Sequence, residues 1–376
     1  ILFFVFLIFK TPISFSDDTK IKVGVLAPLT GENKDLGNQI INSLRMALID
    51  IDDNKIEIYP KDTKSDPKIT FQSALELEKM GINLVIGPVF YENLIFLKDL
   101  ENITFLSLTN KTLDLSKNII STGINSTSQL KTIKKFLELN EIKKTILLIP
   151  DLSYDLEIKK GIKNSKLKFF KEYYYNIEPT KLTKQIEEIT NYEKRKQNLL
   201  DEILRVENSD DVNKEKKIEN LKKKYTLGNL KFDSIIIADF DESLKSVITS
   251  LLYTDVSPKE KYIVTLNQWF DESLFEETNA QPIYYPSINK QNYDDFNSKF
   301  KKKFDYEPSH LSLLTYDLIG LIYYLSFKNE PSEMYRSFKT KNIFKGKIGI
   351  FEIKDNKINH QLNFYEVNNG ELKEIF

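Results

Sequence analysis

Residues 20–51 read KIKVGVLAPLTGENKDLGNQIINSLRMALIDI, and this stretch decides the fold. Apolar residues alternate from Ile21 and run on to Ala27, a pattern typical of a strand buried within a sheet. After Gly37 the apolar residues recur at helical spacing, which predicts an amphipathic helix. The loop between strand and helix, residues 28–31, is short and ends in glycine. A strand that passes through a tight loop into a helix is typical of an α/β unit.

The alternation of strand and helix signals continues along the first hundred residues. Residues 55–66, KIEIYPKDTKSD, predict a second strand and its exit loop. Asp66-Pro67 has the form of an N-cap followed by proline at the first helical position, which predicts a second helix. Apolar runs over residues 84–86 and 104–108 predict two further strands, with a helix through Leu94 and Leu100 between them. This βαβαβαβ order favours a parallel sheet with helices on both faces.

The pattern then restarts with a helix that Ser126 or Thr127 caps. Four apolar segments are predicted as strands, at residues 144–151, 167–177, 233–240 and 260–267. Two more helices are expected near residues 294–304 and 310–327. The C-terminal segment alternates apolar and polar residues and has turn signals at Asp355-Asn356 and Asn369-Gly370, so it is predicted to be a β meander.

The composition of the 376 residues excludes several classes of function. With 41% hydrophobic and 29% charged residues, the chain is globular and long enough for two lobes. The formal net charge is −1, and no long basic tract suggests nucleic-acid binding. The sequence has no cysteine, which rules out disulfides, thiol nucleophiles and thiolate metal sites.

The N-terminal residues indicate export. Residues 1–9 are wholly apolar, and small residues at Ser14 and Ser16 precede two aspartates, as at a signal-peptidase site. We interpret residues 1–16 as a signal peptide whose start is missing; the alternative is the end of a membrane anchor. The localisation expected from this interpretation is the periplasm.

One segment, residues 192–226, departs from the α/β pattern. It is dense in charged and amide residues, with sparse apolar positions, and predicts a surface helical hairpin broken near residues 208–210. Two interpretations of this insertion remain open: a solvated appendage, or an arm on which a partner docks.

Ligands of open parallel α/β sheets bind beyond the carboxyl ends of the strands, so the residues there are the candidate site. They are rich in hydroxyl, amide and aromatic groups, which suits recognition of a small polar ligand by hydrogen bonds and stacking. The predicted ligand-binding residues are Thr30, Gly31, Phe90, Tyr91, Thr109, Asn110, Lys111, Tyr154, Asp239, Gln268 and Trp269.

Few residues of this sequence are arranged as catalytic residues usually are. The two histidines, His310 and His360, have neither a serine nucleophile nor a metal-like cluster beside them. No phosphate-binding loop, dinucleotide fingerprint or nucleophile elbow occurs. We therefore expect a binding protein that is not an enzyme and has no metal or cofactor.

The opening stretch resembles the N-terminal signature of the leucine/isoleucine/valine-binding proteins, which have the type I periplasmic binding fold. In that family the first strand leads into a Pro-Leu-Thr/Ser-Gly loop, as residues 28–31 do here. Further likenesses are the Gly-Pro loop at residues 87–88 and the segments 145–162 and 293–322. The resemblance implies two doubly wound parallel-sheet lobes joined by a hinge that the chain crosses three times. We expect residues 17–123 and 287–340 in lobe 1, and residues 124–286 and 341–376 in lobe 2.

Within that superfamily the chain looks most like the penicillin-binding-protein activators. The segments FLSLTNKTLDL, YTLGNLKFDSIIIADF and FKGKIGIFEIKDNKINHQLNFYEV are similar to theirs. This likeness implies an exported regulator that docks on a peptidoglycan synthase. The alternative is a solute receptor that delivers amino acids or related ligands to an ABC permease.

At the ligand site the sequence differs from that of the amino-acid receptors. Phe90-Tyr91 stand where a serine is usual, and Asn110-Lys111 replace a small Ala-Thr pair. The family's acidic residue for the ligand's ammonium corresponds to Asp239 or Asp241. Since a buried ligand carboxylate needs donors aimed at it, Lys111 is the expected donor.

Overall fold

Strands and helices alternate over most of the chain from Ile21 to Ser287, and the chain ends in five consecutive strands. The computed structural model describes residues 20–152, 154–266, 269–270, 273–276, 278–330 and 333–376. The predicted signal peptide, residues 1–16, lies outside these described residues. No helix in the described part of the chain combines the length and the apolar character that a membrane crossing requires.

The strands form three sheets. Their bounds are β1 (Ile21–Ala27), β2 (Ile56–Asp62), β3 (Leu84–Ile86), β4 (Thr104–Ser107), β5 (Ile119–Ser121), β6 (Thr145–Pro150), β7 (Lys171–Tyr175), β8 (Ser234–Ile237), β9 (Tyr262–Thr265), β10 (Ile283–Ser287), β11 (Asn342–Lys345), β12 (Ile350–Lys354), β13 (Lys357–Gln361), β14 (Asn363–Asn368) and β15 (Glu371–Glu374). The first sheet has the order β2-β1-β3-β4-β5, the second β15-β14-β10-β9-β8-β6-β7 and the third β11-β12-β13. The first sheet is parallel throughout; in the second, β14 alone runs opposite to the other strands, so its pairings with β10 and β15 are antiparallel.

Helices connect and cover these sheets. Their bounds are α1 (Lys34–Ile51), α2 (Pro67–Lys79), α3 (Ser126–Leu139), α4 (Asp155–Ser165), α5 (Pro179–Thr190), α6 (Tyr192–Glu207), α7 (Lys214–Lys222), α8 (Asp241–Tyr253), α9 (Ser273–Glu276), α10 (Lys290–Phe304), α11 (His310–Leu325) and α12 (Arg336–Lys339). The predicted cap of α2 is present, because the Asp66 side chain accepts hydrogen bonds from the backbone nitrogens of Lys68 and Ile69.

Both faces of the first sheet are buried, which explains the continuous apolar run of β1. Val23 and Val25 belong to a core that includes Leu44 of α1 and Leu318 of α11. Leu26 points to the opposite face and shares a second core with residues of α2. A strand with helices on each side needs apolar residues at nearly every position, and β1 supplies them.

The second sheet is built in the same way. Ile146 and Leu148 of β6 share a core with residues of α5 and α8. Leu147 and Ile149, which point to the other face, share a core with residues of α3 and α4. The structure therefore confirms the predicted class of two doubly wound parallel-sheet lobes.

The helix expected through Leu94 and Leu100 is not an α-helix. The chain forms two short 3₁₀ turns instead, at Tyr91–Leu94 and Leu97–Asp99. Leu94, Leu97 and Leu100 are all buried, and their spacing of three residues matches the repeat of a 3₁₀-helix rather than that of an α-helix.

The predicted meander is divided between two sheets. The strands β11, β12 and β13 form a separate antiparallel sheet, with the predicted turn at Asp355-Asn356 between β12 and β13. The strands β14 and β15 join the second sheet because β14 pairs with β10. The sequence pattern of alternating residues is common to both groups, so it does not distinguish their partners.

The small third sheet lies between the lobes at the hinge. Asp317 of α11 accepts hydrogen bonds from the backbone nitrogens of Lys347 at 2.9 Å and Ile348 at 2.7 Å, just before β12. On the other side, the Nε2 atom of His360 in β13 lies 2.9 Å from the carbonyl oxygen of Thr122. These contacts tie the third sheet to a helix of the first lobe and to the chain just after β5.

Candidate functional site

The loop after β1 is held by a carboxylate at the end of β2. Asp62 accepts hydrogen bonds from the backbone nitrogens of Leu29 at 2.8 Å and Thr30 at 3.3 Å, and from the Thr30 hydroxyl at 2.5 Å. Partial burial raises the pKa of Asp62, but the hydrogen bonds from Thr30, Lys64 and Leu29 outweigh it and lower the pKa below its usual value. Thr30 is exposed, yet its hydroxyl proton is already donated within the protein.

Two glycines shape this loop. Gly31 has φ +86°, in the left-handed region that glycine adopts without strain. At Gly37 a Cβ atom would lie 2.0 Å from the carbonyl oxygen of Pro28, so helix and loop approach as closely as they do only because the side chain is absent. Gly31 therefore serves the turn, and its role at a ligand stays a prediction.

Tyr91 and Lys111 come together beside the first sheet. The ammonium of Lys111 lies 4.8 Å from the centre of the Tyr91 ring and 3.8 Å from a carboxylate oxygen of Glu92. The Tyr91 hydroxyl donates to the carbonyl oxygen of Leu113 at 3.1 Å. Phe90 is partly buried and packs against the core. Lys111 thus has a carboxylate partner in the protein, which competes with any ligand anion.

Thr109 and its neighbour Asn110 differ in exposure. Thr109 is buried, and its carbonyl oxygen accepts from the Ser121 hydroxyl at 2.7 Å and from the backbone nitrogen of Gly123 at 3.0 Å. Its own hydroxyl accepts from the backbone nitrogen of Lys111 at 3.2 Å. Thr109 therefore joins β4 to the start of the hinge, whereas the Asn110 side chain is exposed.

Asp239, at the end of β8, is surrounded by donors of the protein itself. Its Oδ1 atom accepts from the Tyr154 hydroxyl at 3.1 Å and from the backbone nitrogen of Phe240 at 2.9 Å. Its Oδ2 atom accepts from the hydroxyls of Tyr175 and Ser243, both at 2.5 Å. Four donors occupy the acceptor positions of one carboxylate, which is only 2% exposed.

This cluster changes the acidity of its tyrosines. Burial, followed by the neighbouring Asp239 charge, raises the pKa of Tyr154 and of Tyr175 far above the usual range. Both hydroxyls therefore remain protonated and act as donors to Asp239. The position of residues at strand ends predicts Tyr154 and Asp239, whereas Tyr175 and Ser243 were not predicted; Tyr175 ends β7, so the same rule applied to β7 identifies it.

The last predicted residues lie on the loop after β9. Gln268 lies outside the described residues. The Trp269 ring is partly buried and lies over the ring of His310, with 4.9 Å between the centres and planes tilted by 30°. Because His310 begins α11, which packs on α1, this contact joins the second lobe to the first.

A second connection between the lobes was not predicted. Glu157, in the first turn of α4, accepts at Oε1 from the backbone nitrogens of Thr112 and Leu113, each at 2.6 Å. Its Oε2 atom accepts from the Thr112 hydroxyl at 2.9 Å, and the ammonium of Lys160 donates to the Thr112 carbonyl oxygen. We name Thr112, Leu113, Glu157 and Lys160 the interlobe clamp. Its members lie a few residues beyond the strand ends that the sequence argument considered.

The described residues offer little for a reaction centre. They contain no group of three or more histidine, cysteine, aspartate or glutamate side chains that could hold a metal ion. Both histidines of the sequence are placed away from Asp239: His310 lies beside Trp269, and His360 is buried at the hinge.

Solved structures of similar shape identify the fold. The C-domain of LpoA from Haemophilus influenzae, described as a regulator of PBP1A, matches 94% of this chain and 100% of that chain, with a TM-score of 0.63 and 14% identity. LivJ from Streptococcus pneumoniae, a branched-chain amino acid substrate-binding protein in complex with isoleucine, matches 94% of this chain and 98% of its own, with a TM-score of 0.53 and 16% identity. The chain has the type I periplasmic binding protein fold.

The same fold links the chain to both kinds of protein that the sequence suggested. A periplasmic ligand-binding protein of a branched-chain amino acid ABC transporter, from Burkholderia xenovorans, gives a TM-score of 0.66 at 10% identity and 95% coverage of both chains. Against full-length LpoA the match covers 59% of that chain, so this chain spans little more than half of it. No protein-family model and no curated protein matches the sequence. At these identities the likeness concerns the type I fold, and the function is argued from the site.

Proposed function

We propose that the chain is an exported, non-enzymatic type I binding-fold protein that regulates a peptidoglycan synthase in the periplasm by docking on it. The fold match to the whole C-domain of LpoA, whose description names PBP1A as its target, supports this class of function. The sequence likeness to penicillin-binding-protein activators points in the same direction.

The observation that carries the proposal is that both second-lobe carboxylates, Asp239 and Glu157, already accept several hydrogen bonds within the protein. Asp239 has four donors of its own lobe, and Glu157 has three donors from Thr112 and Leu113. A receptor of α-amino acids needs a carboxylate free to accept the ligand's ammonium, since a buried charge without a partner is costly. Because both carboxylates are engaged in hydrogen bonds within the protein, their state favours a protein that acts through its surface over a receptor of amino acids.

The surface proposed for docking is the outer side of the hairpin formed by α6 and α7. Arg195 anchors the base of this hairpin: its Nε atom donates to the Thr190 carbonyl oxygen at 3.1 Å, and a terminal nitrogen donates to the carbonyl oxygen of Thr254. Further along α6, Leu200 is 49% and Leu204 is 55% exposed. The hairpin is therefore anchored at its base, and α6 exposes two apolar side chains four residues apart, on one face of the helix. Such an exposed apolar face is typical of a helix that a partner covers.

The test is direct binding of the purified chain to a purified peptidoglycan synthase of the same organism, together with the synthase's rate of glycan polymerisation. We expect binding and a change in rate with the intact chain. The double variant Leu200→Asp/Leu204→Asp should weaken binding at least tenfold, because two charges would have to be desolvated at the contact. Leu139→Asp, on α3 and 63% exposed, is the matched control and should bind normally.

An intact chain that binds no synthase would reject this function. Equal binding by Leu200→Asp/Leu204→Asp would reject the hairpin as the docking surface while leaving the regulatory function in place. Circular dichroism of each variant should show an unchanged fold, because the substituted side chains are exposed.

A solute receptor for an ABC importer is the second candidate. It is favoured by the fold match to LivJ bound to isoleucine and by the meeting of Tyr91 and Lys111 beside the first sheet. A thermal-shift screen with amino acids and amides tests it: a ligand at one hundred times its Kd should add about 2.7 kcal/mol of stability. A shift with an amino acid, coupled to binding of a permease, would favour the receptor over the regulator.

A further inference from the structure

A cavity of about 430 Å³ lies at the hinge, apart from the predicted site. Its walls come from the loop between β4 and β5, from α3 and α4, and from the turn between β12 and β13. We name this cavity the hinge pocket. Thr112 and Lys160 of the interlobe clamp contribute to its wall, whereas none of the predicted ligand-binding residues that the structure describes lines it.

The ionisable groups of the hinge pocket are mainly cationic. They are Lys117, Lys131, Lys160, Lys357, Asp114 and Asp355. Four lysines and two aspartates leave an excess of two positive charges around the pocket. Among the described residues, Lys117, Lys131 and Lys357 have no carboxylate at ion-pair distance.

Hydrogen bonds hold the backbone near Lys117 and Lys357 in place. The ammonium groups of these two lysines pair with no carboxylate among the described residues. The Asn356 side chain donates to the Lys117 carbonyl oxygen at 2.9 Å and ties the β12–β13 turn to the first lobe. The Asn125 side chain, at the N-terminus of α3, donates to the Ile358 carbonyl oxygen at 2.9 Å and ties α3 to β13. The frame of the pocket is therefore formed in advance, which reduces the entropy that a ligand must overcome.

We propose that the hinge pocket binds a small organic polyanion through carboxylate or phosphate groups. Its volume is within the range of small-molecule sites, and its excess of lysines over aspartates suits an anionic ligand. Lys117 belongs to the loop of the first lobe, whereas Lys131 and Lys160 belong to helices of the second. An anion that contacts both sets bridges the lobes and opposes their separation.

The experiment is isothermal titration and thermal shift of the full chain with two probes, citrate and inorganic pyrophosphate. Sodium chloride at matched ionic strength and glucose serve as comparisons, because screening alone changes the stability of charged surfaces. We expect at least one anion to bind and to raise the melting temperature. Citrate and pyrophosphate separate the two chemistries: the tighter of them shows which group the pocket prefers.

The variants locate the binding. The Kd should rise at least tenfold in the double variant Lys131→Gln/Lys357→Gln. It should rise severalfold in the single variant Lys117→Gln. Lys299→Gln, an exposed lysine on α10, should leave the Kd within twofold. Binding of neither anion beyond the sodium chloride control would overturn the proposal. So would binding that the pocket variants do not weaken, or that Lys299→Gln weakens equally.

Discussion

The carboxylate of Glu157 lies 2.6 Å from the backbone nitrogen of Thr112, across the gap between the two lobes. Glu157 belongs to a helix of the second lobe, and Thr112 belongs to the loop after β4 of the first. The second oxygen of the carboxylate accepts the Thr112 hydroxyl, so one side chain takes three hydrogen bonds from the opposite lobe. Charge-assisted hydrogen bonds of this kind are about twice as strong as neutral ones.

We predict that Glu157→Ala separates the lobes and lowers the free energy of unfolding by about 2 kcal/mol, as expected for lost hydrogen bonds to a charged group. Small-angle scattering should show a larger radius of gyration, and urea unfolding gives the change in stability. Glu138→Ala removes an exposed carboxylate that pairs with Lys134 on the same helix, and should change stability by less than about 0.5 kcal/mol. An unchanged radius of gyration in Glu157→Ala would contradict a clamp.

We predict that Asp239→Asn destabilises the protein by about 2 kcal/mol. The substitution replaces one acceptor oxygen by an amide donor, so two of the four donors lose their partner in either orientation of the amide. Asp241→Asn is the control, since that residue is exposed and has φ +52°, which asparagine also tolerates. Equal stability of Asp239→Asn and the intact chain in urea would show that the cluster is not a structural unit.

His360 makes the folded protein less stable as the pH falls. Burial lowers its pKa to about 4, whereas the unfolded chain protonates near pH 6.5. The unfolded state therefore binds more protons between these values, and this residue's contribution falls by about 3 kcal/mol as the pH drops through the window. Comparing urea unfolding of the intact chain and of His360→Gln at pH 7 and pH 5 measures this contribution as the difference in their pH slopes. Identical slopes would count against a buried neutral imidazole.

Asp317 acts in the opposite direction. Burial raises its pKa to about 6, from a usual value of 3.8, in spite of the hydrogen bonds from Lys347 and Ile348. The folded state therefore binds more protons between these values, and the contribution of Asp317 falls by about 3 kcal/mol as the pH rises through them.

We predict that Asp317→Asn removes this opposing contribution. The variant's stability should rise more steeply between pH 4 and pH 6 than that of the intact chain, because His360 is then uncompensated. Urea midpoints across this pH range test this statement, and a variant with a shallower slope than the intact chain would contradict it.

Local patterns were sufficient for much of the fold. The alternation of β1, the cap at Asp66 and the turn at Asp355-Asn356 each depend on residues close together in the chain, and all three are confirmed. The short strand β5 was missed, because three residues carry too little pattern to be recognised. The sequence also predicted a helix where Leu94 and Leu97 form 3₁₀ turns, since apolar spacing of three residues fits both alternatives over so short a span.

The candidate site was predicted only in part, and the residues missed share a cause. Tyr175, Ser243 and Glu157 come to their partners from separate strands, helices and lobes, at sequence distances that no local pattern reports. The sequence by itself determined two α/β lobes, their buried strands and a charged helical hairpin, because apolar periodicity and turn chemistry act over a few residues. Only the tertiary structure decided which carboxylates are engaged, where β14 pairs and how the lobes touch, because those contacts depend on the positions of elements far apart in the chain.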